Sequence, residues 1–243
     1  MWHNSEIMPL ILNIETGTEV CSVALSRSGR LISLRENSRE RNHAQELGIY
    51  IKDLFEENQI DADDLDAVAV GMGPGSYTGL RIGVSMAKGI CYGANIPLIA
   101  VSSLRSMVRV ALEEYEAGLL DIDALDTASF CPMIDARRME VYTQLFNSKV
   151  EELSEVKAEI IDNESFLQYA DGREFVIFGN GAAKCVESLS HLNLKYWDVQ
   201  PSARGMVTES FEMFNQKQFV DTAYFEPFYL KDFLINKSTK KFF

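Results

Sequence analysis

A glycine-rich segment between an apolar run and a helical pattern is the part of the sequence best suited to binding an anion. Residues 71–83 read Gly-Met-Gly-Pro-Gly-Ser-Tyr-Thr-Gly-Leu-Arg-Ile-Gly. A turn before a helix N-terminus presents free backbone N–H groups, which bind phosphates. The spacing fits neither a Walker A loop, which needs a lysine after its second glycine, nor a dinucleotide fingerprint. We name its turn the glycine loop, which consists of Gly73, Pro74, Gly75, Ser76, Tyr77 and Thr78. The segment is therefore either an anion-binding loop or simply a tight turn.

The histidines and cysteines are too scattered to form a catalytic or metal-binding set. The histidines are His3, His43 and His191. The cysteines are Cys21, Cys91, Cys131 and Cys185. No Ser–His–Asp set can be assembled from single histidines, and no CxxC pair indicates a zinc ribbon or a disulfide scaffold. His43 lies at a predicted helix start with no second histidine four residues away, so we interpret it as a capping or interface residue.

Charge and composition narrow the class of protein. The 243 residues include 23 basic and 36 acidic side chains, which give a formal net charge of −13 and argue against extensive contact with a nucleic-acid backbone. The hydrophobic content of 47% is enough for one large domain or two small ones. No apolar run approaches the ~20 residues that span a bilayer, and no signal-peptide pattern is present. We therefore expect a cytoplasmic protein, whose residues 1–6 form a polar tail ahead of an equally plausible start at Met8.

Hydrophobic periodicity predicts a mixed α/β chain. In the first half we expect strands at 10–15, 20–26 and 31–36, a helix at 42–59, a strand at 66–72, a helix at 79–94, a strand at 97–101 and a helix to 117. An acidic stretch then precedes a second set, with strands at 130–135, 139–146 and 174–178 and helices at 164–170 and 203–216. No sequence repeat relates the halves. This order predicts two α/β lobes.

Two predicted helices have faces that suit a partner. The first, 42–59, carries more apolar side chains than one narrow stripe facing the core requires: Leu47, Tyr50, Ile51, Leu54 and Phe55. In the second, small side chains recur every four residues: Gly79, Gly83, Ala87 and Cys91. Small residues let another helix approach closely, either within the fold or from a partner, and spacing alone does not choose between the two.

Three strings together resemble one bacterial family. GPGSYTGLRIG (73–83) is preceded by ILNIETGTEVCSVAL (11–25) and followed by IPLIAVSSL (96–104). Further strings are IDAR (134–137), EVY (140–142), GNGA (179–182) and PFYL (227–230). The set resembles the TsaB family, also called YeaZ, which belongs to the pathway that makes threonylcarbamoyladenosine in tRNA. Lys231 departs from the family, in which arginine usually ends the last motif.

The resemblance implies a fold and a role. The implied fold is the two-lobed actin-like ATPase (ASKHA) fold in degenerate form, with residues 1–102 as the N-terminal lobe and 103–243 as the C-terminal lobe. The resemblance leaves open whether the last helix and the tail return to the first lobe. The implied role is a non-catalytic partner of TsaD, the paralogous transferase that acts on tRNAs reading codons that start with A. The ATPase TsaE joins the pair, and the free protein is expected to form a homodimer. No cofactor, no membrane contact and no strong direct binding of nucleic acid are expected.

Residues that bind metal or phosphate in the superfamily are replaced in this chain. TsaD carries V-N-H-L-E-G-H, with two metal-binding histidines, where residues 101–107 read V-S-S-L-R-S-M. Ser103 and Met107 replace those imidazoles, so the resemblance predicts no catalytic metal. The first hairpin keeps a plausible phosphate loop at residues 15–18, but in the second Arg137 and Arg138 replace the glycines that let backbone approach phosphate. A weak nucleotide contact is left open at three residues: Thr16, Gly179 and Gly181.

The leading hypothesis is a scaffold that stabilises TsaD through a four-helix bundle and recruits TsaE. The predicted partner interface consists of His43, Leu47, Tyr50, Ile51, Leu54, Gly79, Arg81, Gly83 and Ala87. The alternative for those helices is that both stripes face their own lobe. The alternative function is a residual enzyme, either an ATPase or a metallopeptidase, and a weaker third hypothesis is a homodimeric regulator with another partner.

Overall fold

The first sheet is built from the first five strands in the order β3-β2-β1-β4-β5. A computed structural model describes residues 8–37, 43–169 and 171–231. The strands of this sheet are β1 (Leu10–Glu15), β2 (Cys21–Arg27), β3 (Arg30–Asn37), β4 (Ala67–Gly73) and β5 (Leu98–Ser102). The hairpins β1–β2 and β2–β3 are antiparallel, whereas β4 and β5 continue parallel to β1. The predicted strands of this half are confirmed to within one residue at each end.

Two helices cover one face of this sheet. They are α1 (His43–Asn58) and α2 (Tyr77–Ala94), and their inner side chains share one core cluster with the apolar residues of β1 and β4. The Ser76 side chain accepts from the Gly79 N–H at 3.3 Å and so caps the N-terminus of α2. The third helix, α3 (Ser103–Glu116), begins directly after β5 and is capped by the Ser102 hydroxyl.

The second sheet repeats the first in order and direction. Its strands are β6 (Ser129–Asp135), β7 (Glu140–Thr143), β8 (Lys157–Ile160), β9 (Glu174–Phe178) and β10 (Asn193–Trp197). They lie in the order β8-β7-β6-β9-β10, with antiparallel pairs at β6–β7 and β7–β8 and parallel pairs at β6–β9 and β9–β10. The predicted two-lobed α/β architecture is confirmed, and the repeat that the sequence does not display is present in the topology.

Helix α3 packs within the second lobe, whereas the last helix returns to the first lobe. Helix α3 packs its apolar side on the second sheet, in a cluster that joins Leu104 and Val108 to Phe130 and Phe178. Helix α4 (Val207–Asn215) and the 3₁₀ turn before it pack on the free face of the first sheet. An ion pair links the two helices, since the Arg109 guanidinium donates to Glu209 Oε1 at 2.9 and 2.7 Å. The lobes are therefore interlocked, and the division at residues 102/103 stays a prediction.

Several predicted elements of the second half need correction. The helix expected at 164–170 is wrong: the described residues form turns and a short 3₁₀ helix, Leu167–Tyr169, after a left-handed residue, Phe166 (φ 61°). Strand β7 ends at Thr143 instead of 146, and the exposed strands β8 and β10 were not predicted. The predicted helix start at Asn42, the N-terminal tail and the tail beyond 231 lie outside the described residues. Within the described ranges, no helix is long and apolar enough to cross a membrane.

Candidate functional site

The glycine loop packs directly on the turn between β1 and β2. The Ser76 N–H donates to the Gly17 carbonyl at 2.6 Å. A Cβ on Gly75 would lie 2.2 Å from that same carbonyl oxygen, and a Cβ on Gly79 would lie 2.1 Å from the carbonyl oxygen of Thr16. Two backbones can approach this closely only where neither has a side chain in between. The glycines here serve a backbone-to-backbone contact, which is the tight-turn interpretation of the sequence.

The small-residue ridge of α2 faces its own sheet. A Cβ on Gly83 would lie 2.3 Å from Thr16 Oγ1, whose hydroxyl donates to the Gly79 carbonyl at 2.9 Å. Ala87 and Cys91 are buried in the core cluster of the first lobe. The prediction that Gly79, Gly83 and Ala87 are open to a partner helix is therefore wrong. The physical reason is that α2 crosses the β1–β2 turn at a distance that only glycine permits.

The apolar stripe of α1 also faces inward. Leu47, Ile51 and Leu54 are buried in the same core cluster, and Tyr50 is half-buried against it. His43 is buried too, with its Nε2 2.8 Å from the Thr18 carbonyl oxygen. The prediction that these side chains form an exposed interface is wrong for the four buried residues, because the amphipathic helix uses its apolar stripe to cover β1 and β2.

An open apolar groove lies instead between the outer faces of α1 and α2. It has a volume of about 590 Å³, and its lining includes Ala44, Ala62, Ile82, Met86, Gly89 and Gly93. A Cβ on Gly89 or Gly93 would meet nothing within 4 Å. Together with Ser85, these two glycines recur every four residues, so a second small-residue ridge runs along α2 about 200° from the buried one. We name this surface the α1–α2 groove. Sequence reasoning missed it, although its spacing is the same as that of the ridge that was found.

The C-terminal segment crosses the first lobe beside the glycine loop. Its backbone bonds to β5 through the Val220 N–H and the Leu98 carbonyl at 2.9 Å, and to β4 through the Phe228 N–H and the Met72 carbonyl at 2.8 Å. Arg81, a predicted interface residue, is exposed but engaged by its own chain. Its guanidinium lies 3.9 Å from the Tyr77 ring centroid, and its Nε donates to the Tyr229 hydroxyl at 3.2 Å.

Glu15 holds three elements together beneath the glycine loop. Its Oε1 accepts from the Gly17 N–H at 2.7 Å and its Oε2 accepts from the Ser103 hydroxyl at 2.8 Å. Burial raises the pKa of this carboxyl, and the hydrogen bonds and the charge of His43 partly oppose that effect. A Cβ on Gly71 would lie 2.3 Å from Oε2, so β4 also fits against the carboxylate. Both carboxylate oxygens are used within the fold.

The three residues proposed for a weak nucleotide contact are used in packing. The Thr16 hydroxyl is bonded to Gly79, as described above. A Cβ on Gly179 would lie 2.4 Å from Met107 Cε, and the Gly181 N–H donates to the Met133 carbonyl at 2.9 Å. The Thr16 hydroxyl and the Gly181 N–H are therefore used within the fold, and the nucleotide contact stays a prediction.

The two positions that carry histidine in the transferase are part of the core. Ser103 and Met107 are both fully buried. Ser103 donates to Glu15, and Met107 covers Gly179. In the part of the chain that the structure describes, no group of three or more His, Cys, Asp or Glu residues is placed to hold a metal ion. A hydroxyl and a thioether in these positions do not fit a catalytic metal.

Comparisons with known proteins agree with this architecture. The family model described as "TsaD: tRNA N6-adenosine threonylcarbamoyltransferase" matches residues 34–223. The Escherichia coli "tRNA threonylcarbamoyladenosine biosynthesis protein TsaB" is 33% identical over 232 residues, which are 91% of this chain and 94% of that relative. This chain belongs to the TsaB (YeaZ) family. The match to the transferase model also places it in the wider TsaD family.

Other members of the TsaB family show how far the likeness extends. The TsaB protein of Haemophilus influenzae is 34% identical over 141 residues, and this match spans 58% of the chain and only 55% of that relative. The solved structure of YeaZ from Pseudomonas aeruginosa is 24% identical, with a TM-score of 0.73 over 92% of this chain and all of the other. That likeness confirms the predicted actin-like two-lobed fold.

Proposed function

We propose that this TsaB-family chain is a non-catalytic subunit in the biosynthesis of tRNA threonylcarbamoyladenosine and binds a TsaD-type transferase through the α1–α2 groove. The observation that carries the proposal is a contrast between two places in the fold. At the β1–β2 turn and at Gly179, where the sequence left a nucleotide contact open, Glu15, the glycine loop and Met107 pack closely. The outer faces of α1 and α2, in contrast, leave an apolar groove open.

The chemistry of the groove suits a pair of helices. Ile82, Met86 and Ile90 offer apolar area, and Gly89 and Gly93 remove the side chains that would keep a second helix away. The transferase model matches a stretch that includes both helices, so a TsaD-type paralogue is expected to present the same helix pair. Two similar pairs can meet about a pseudo-twofold axis and form a four-helix bundle. By the same argument the free chain pairs with itself through this face, and TsaE is recruited to the assembled pair.

Co-purification with the organism's own TsaD tests the proposal. Gly89→Leu and Gly93→Leu place a bulky side chain in the groove without touching the rest of the lobe. Overpacking of this kind costs roughly 1–3 kcal/mol, so we expect each variant to bind TsaD about 5- to 150-fold more weakly in a titration. Ala117→Leu, at the exposed end of α3, is the matched control and should bind as the parent does.

Two results would contradict the proposal. One is unchanged TsaD affinity in folded Gly89→Leu and Gly93→Leu proteins, which would exclude the groove. The other is turnover by the chain alone: steady ATP hydrolysis, or peptidase activity with stoichiometric zinc or iron, would establish the residual enzyme instead.

A further inference from the structure

The turn between β6 and β7 holds two consecutive arginines in an unfavourable backbone conformation. Arg137 has φ 73° and Arg138 has φ 51°. The turn is closed by hydrogen bonds from the Ala136 N–H to the Glu140 carbonyl and from the Glu140 N–H to the Arg137 carbonyl, both at 3.1 Å. The paired residues Ala136 and Glu140 leave three residues in the loop, and the first two of them are in the left-handed region, which Gly, Asn and Asp adopt most readily. Arginine is disfavoured there because its Cβ crowds the backbone. We name residues 136–139 the arginine turn.

The side chains of the arginine turn are exposed and have no partner in the described part of the chain. The carboxylates beside them along the chain are already neutralised: Asp135 pairs with Lys184 and Glu140 pairs with Lys231. Arg137 and Arg138 make no ion pair or side-chain hydrogen bond with any described residue, and both are solvent-exposed. Two uncompensated positive charges therefore project from a protein whose net charge is −13.

A carboxylate of the first lobe, Glu19, is hydrogen-bonded to the Asn180 amide near the base of the arginine turn. Asn180 donates to Glu19 Oε2 at 2.6 Å and accepts from the Asp135 N–H at 2.9 Å. The Glu19 side chain is therefore fixed close to the base of the arginine turn by the amide that bridges the lobes. The tip of the turn, not its base, is the positive part of this surface.

An aromatic and cationic stack is linked to the C-terminal side of the arginine turn through Lys231. Lys231, bound to Glu140, is two residues from Tyr229, which limits their Cα separation to about 7 Å. The ring of Tyr229 lies 4.8 Å from that of Tyr77, and Arg81 lies over both rings. Tyr77 and Tyr229 are half-buried, so part of the stack is open to solvent. Arginines that project toward solvent near partly open aromatic rings can bind a sugar-phosphate backbone and stack a base or ribose.

We propose that the arginine turn binds the phosphate backbone of RNA, with the Tyr77–Arg81–Tyr229 stack as the adjoining surface. The choice of RNA, here a tRNA, rests on the proposed function, whereas the site itself rests on the geometry of the turn. An acidic protein segment would use the two guanidiniums but not the stack. Because the chain is acidic overall, the contact positions an RNA that the whole complex holds and binds only weakly by itself.

The test exploits the conformation of the turn. Arg137→Asn combined with Arg138→Gly removes both charges and installs residues that adopt the left-handed conformation more readily than arginine, so the variant should unfold at a higher temperature than the parent. Its affinity for a fluorescein-labelled, unmodified tRNA transcript, measured by anisotropy at low salt, should fall about tenfold, and the salt slope should decrease by about 1 to 2. Arg27→Gln combined with Arg30→Gln removes two exposed, unpaired arginines at the β2–β3 turn and serves as the charge-matched control.

Each other result overturns the inference. Equal tRNA binding by the parent and the Asn-Gly variant, or no binding by the parent, excludes the site. An equal loss in the control shows that only net charge matters. A lower unfolding temperature in the Asn-Gly variant shows that the arginines serve the fold. Loss of binding to a labelled polyglutamate peptide, with tRNA binding unchanged, assigns the turn to an acidic protein. Co-purification with TsaD is measured on the same preparations, so failure of the RNA contact and failure of the proposed function give separate readouts.

Discussion

The two glycine ridges of α2 predict opposite effects of the same substitution. Gly79→Ala places a Cβ 2.1 Å from the Thr16 carbonyl oxygen, whereas Gly89→Ala places one where nothing lies within 4 Å. An ordinary contact to a Cβ begins at 3.4 Å, so the first substitution requires α2 and the β1–β2 turn to separate by more than 1 Å. The obstructing atom belongs to the backbone and cannot rotate away.

The magnitudes follow from the contacts that would change. For Gly79→Ala, overpacking costs about 1–3 kcal/mol, and loss of the hydrogen bond from the Thr16 hydroxyl to the Gly79 carbonyl adds about 1 kcal/mol. We expect the free energy of unfolding to fall by about 3 kcal/mol. Gly89 is exposed inside the helix, so in Gly89→Ala the better helix propensity of alanine should raise the free energy of unfolding by up to about 1 kcal/mol.

Thermal unfolding followed by circular dichroism separates the two variants. At about 2–4 °C per kcal/mol for a chain of this length, Gly79→Ala should unfold about 6–12 °C below the parent and Gly89→Ala slightly above it. Urea titration of the same proteins gives the free energies directly. The reasoning fails if Gly79→Ala is as stable as the parent, or if Gly89→Ala is the more damaging of the two.

Three further predictions concern Glu15, the two positions that carry histidine in the transferase, and the C-terminal segment. Burial raises the pKa of Glu15, so ionisation of this carboxyl destabilises the folded state, and the stability that its protonated form contributes is lost as pH rises from about 4 through the folded pKa. The free energy of unfolding of Glu15→Gln relative to that of the parent should therefore increase with pH, and parallel stability curves would contradict this. The double variant Ser103→His with Met107→His should hold no stoichiometric metal by elemental analysis and should be less stable than the parent, since both sites are buried; tight metal would show that a ligand set exists. Tyr229→Ala removes the hydroxyl that Arg81 binds and should speed trypsin cleavage of the C-terminal segment; an unchanged cleavage rate would mean that other contacts hold it.

The sequence predicts the fully buried strands, and it predicts the mostly exposed β3 because the Ser28-Gly29 turn marks a hairpin with β2. It loses accuracy for partly exposed strands that no such turn marks. Strands β1 and β9 have the predicted bounds because every one of their residues is buried, so each reads as an uninterrupted run. Strands β8 and β10 were missed because their residues are mostly exposed or half-exposed, which leaves no clear alternation. Tertiary pairing to β7 and β9 makes them strands, and a local pattern cannot contain that information.

The candidate site could also be predicted only in part from the sequence. A four-residue spacing of small side chains occurs twice on α2, at Gly79–Gly83–Ala87 and at Ser85–Gly89–Gly93, and nothing in the spacing tells which face meets the sheet. The prediction drawn from Ser103 and Met107, that the chain holds no catalytic metal, depends on chemistry at single positions and not on which helix face meets the sheet. The contact of Arg81 with Tyr229, 148 residues apart, could not be predicted without the fold.

The return of α4 and the turn before it to the first lobe constrains the order in which the chain can fold during synthesis. The face of the first sheet that carries Ile11, Ala24 and Ile99 is covered by Ala203 and Met206, which the ribosome adds about a hundred residues after β5 is complete. Until then that face is an uncovered apolar surface on the nascent chain, open to chaperones or to unwanted association. A fragment ending near residue 102 would keep this surface permanently, so the N-terminal lobe is expected to aggregate when it is expressed alone.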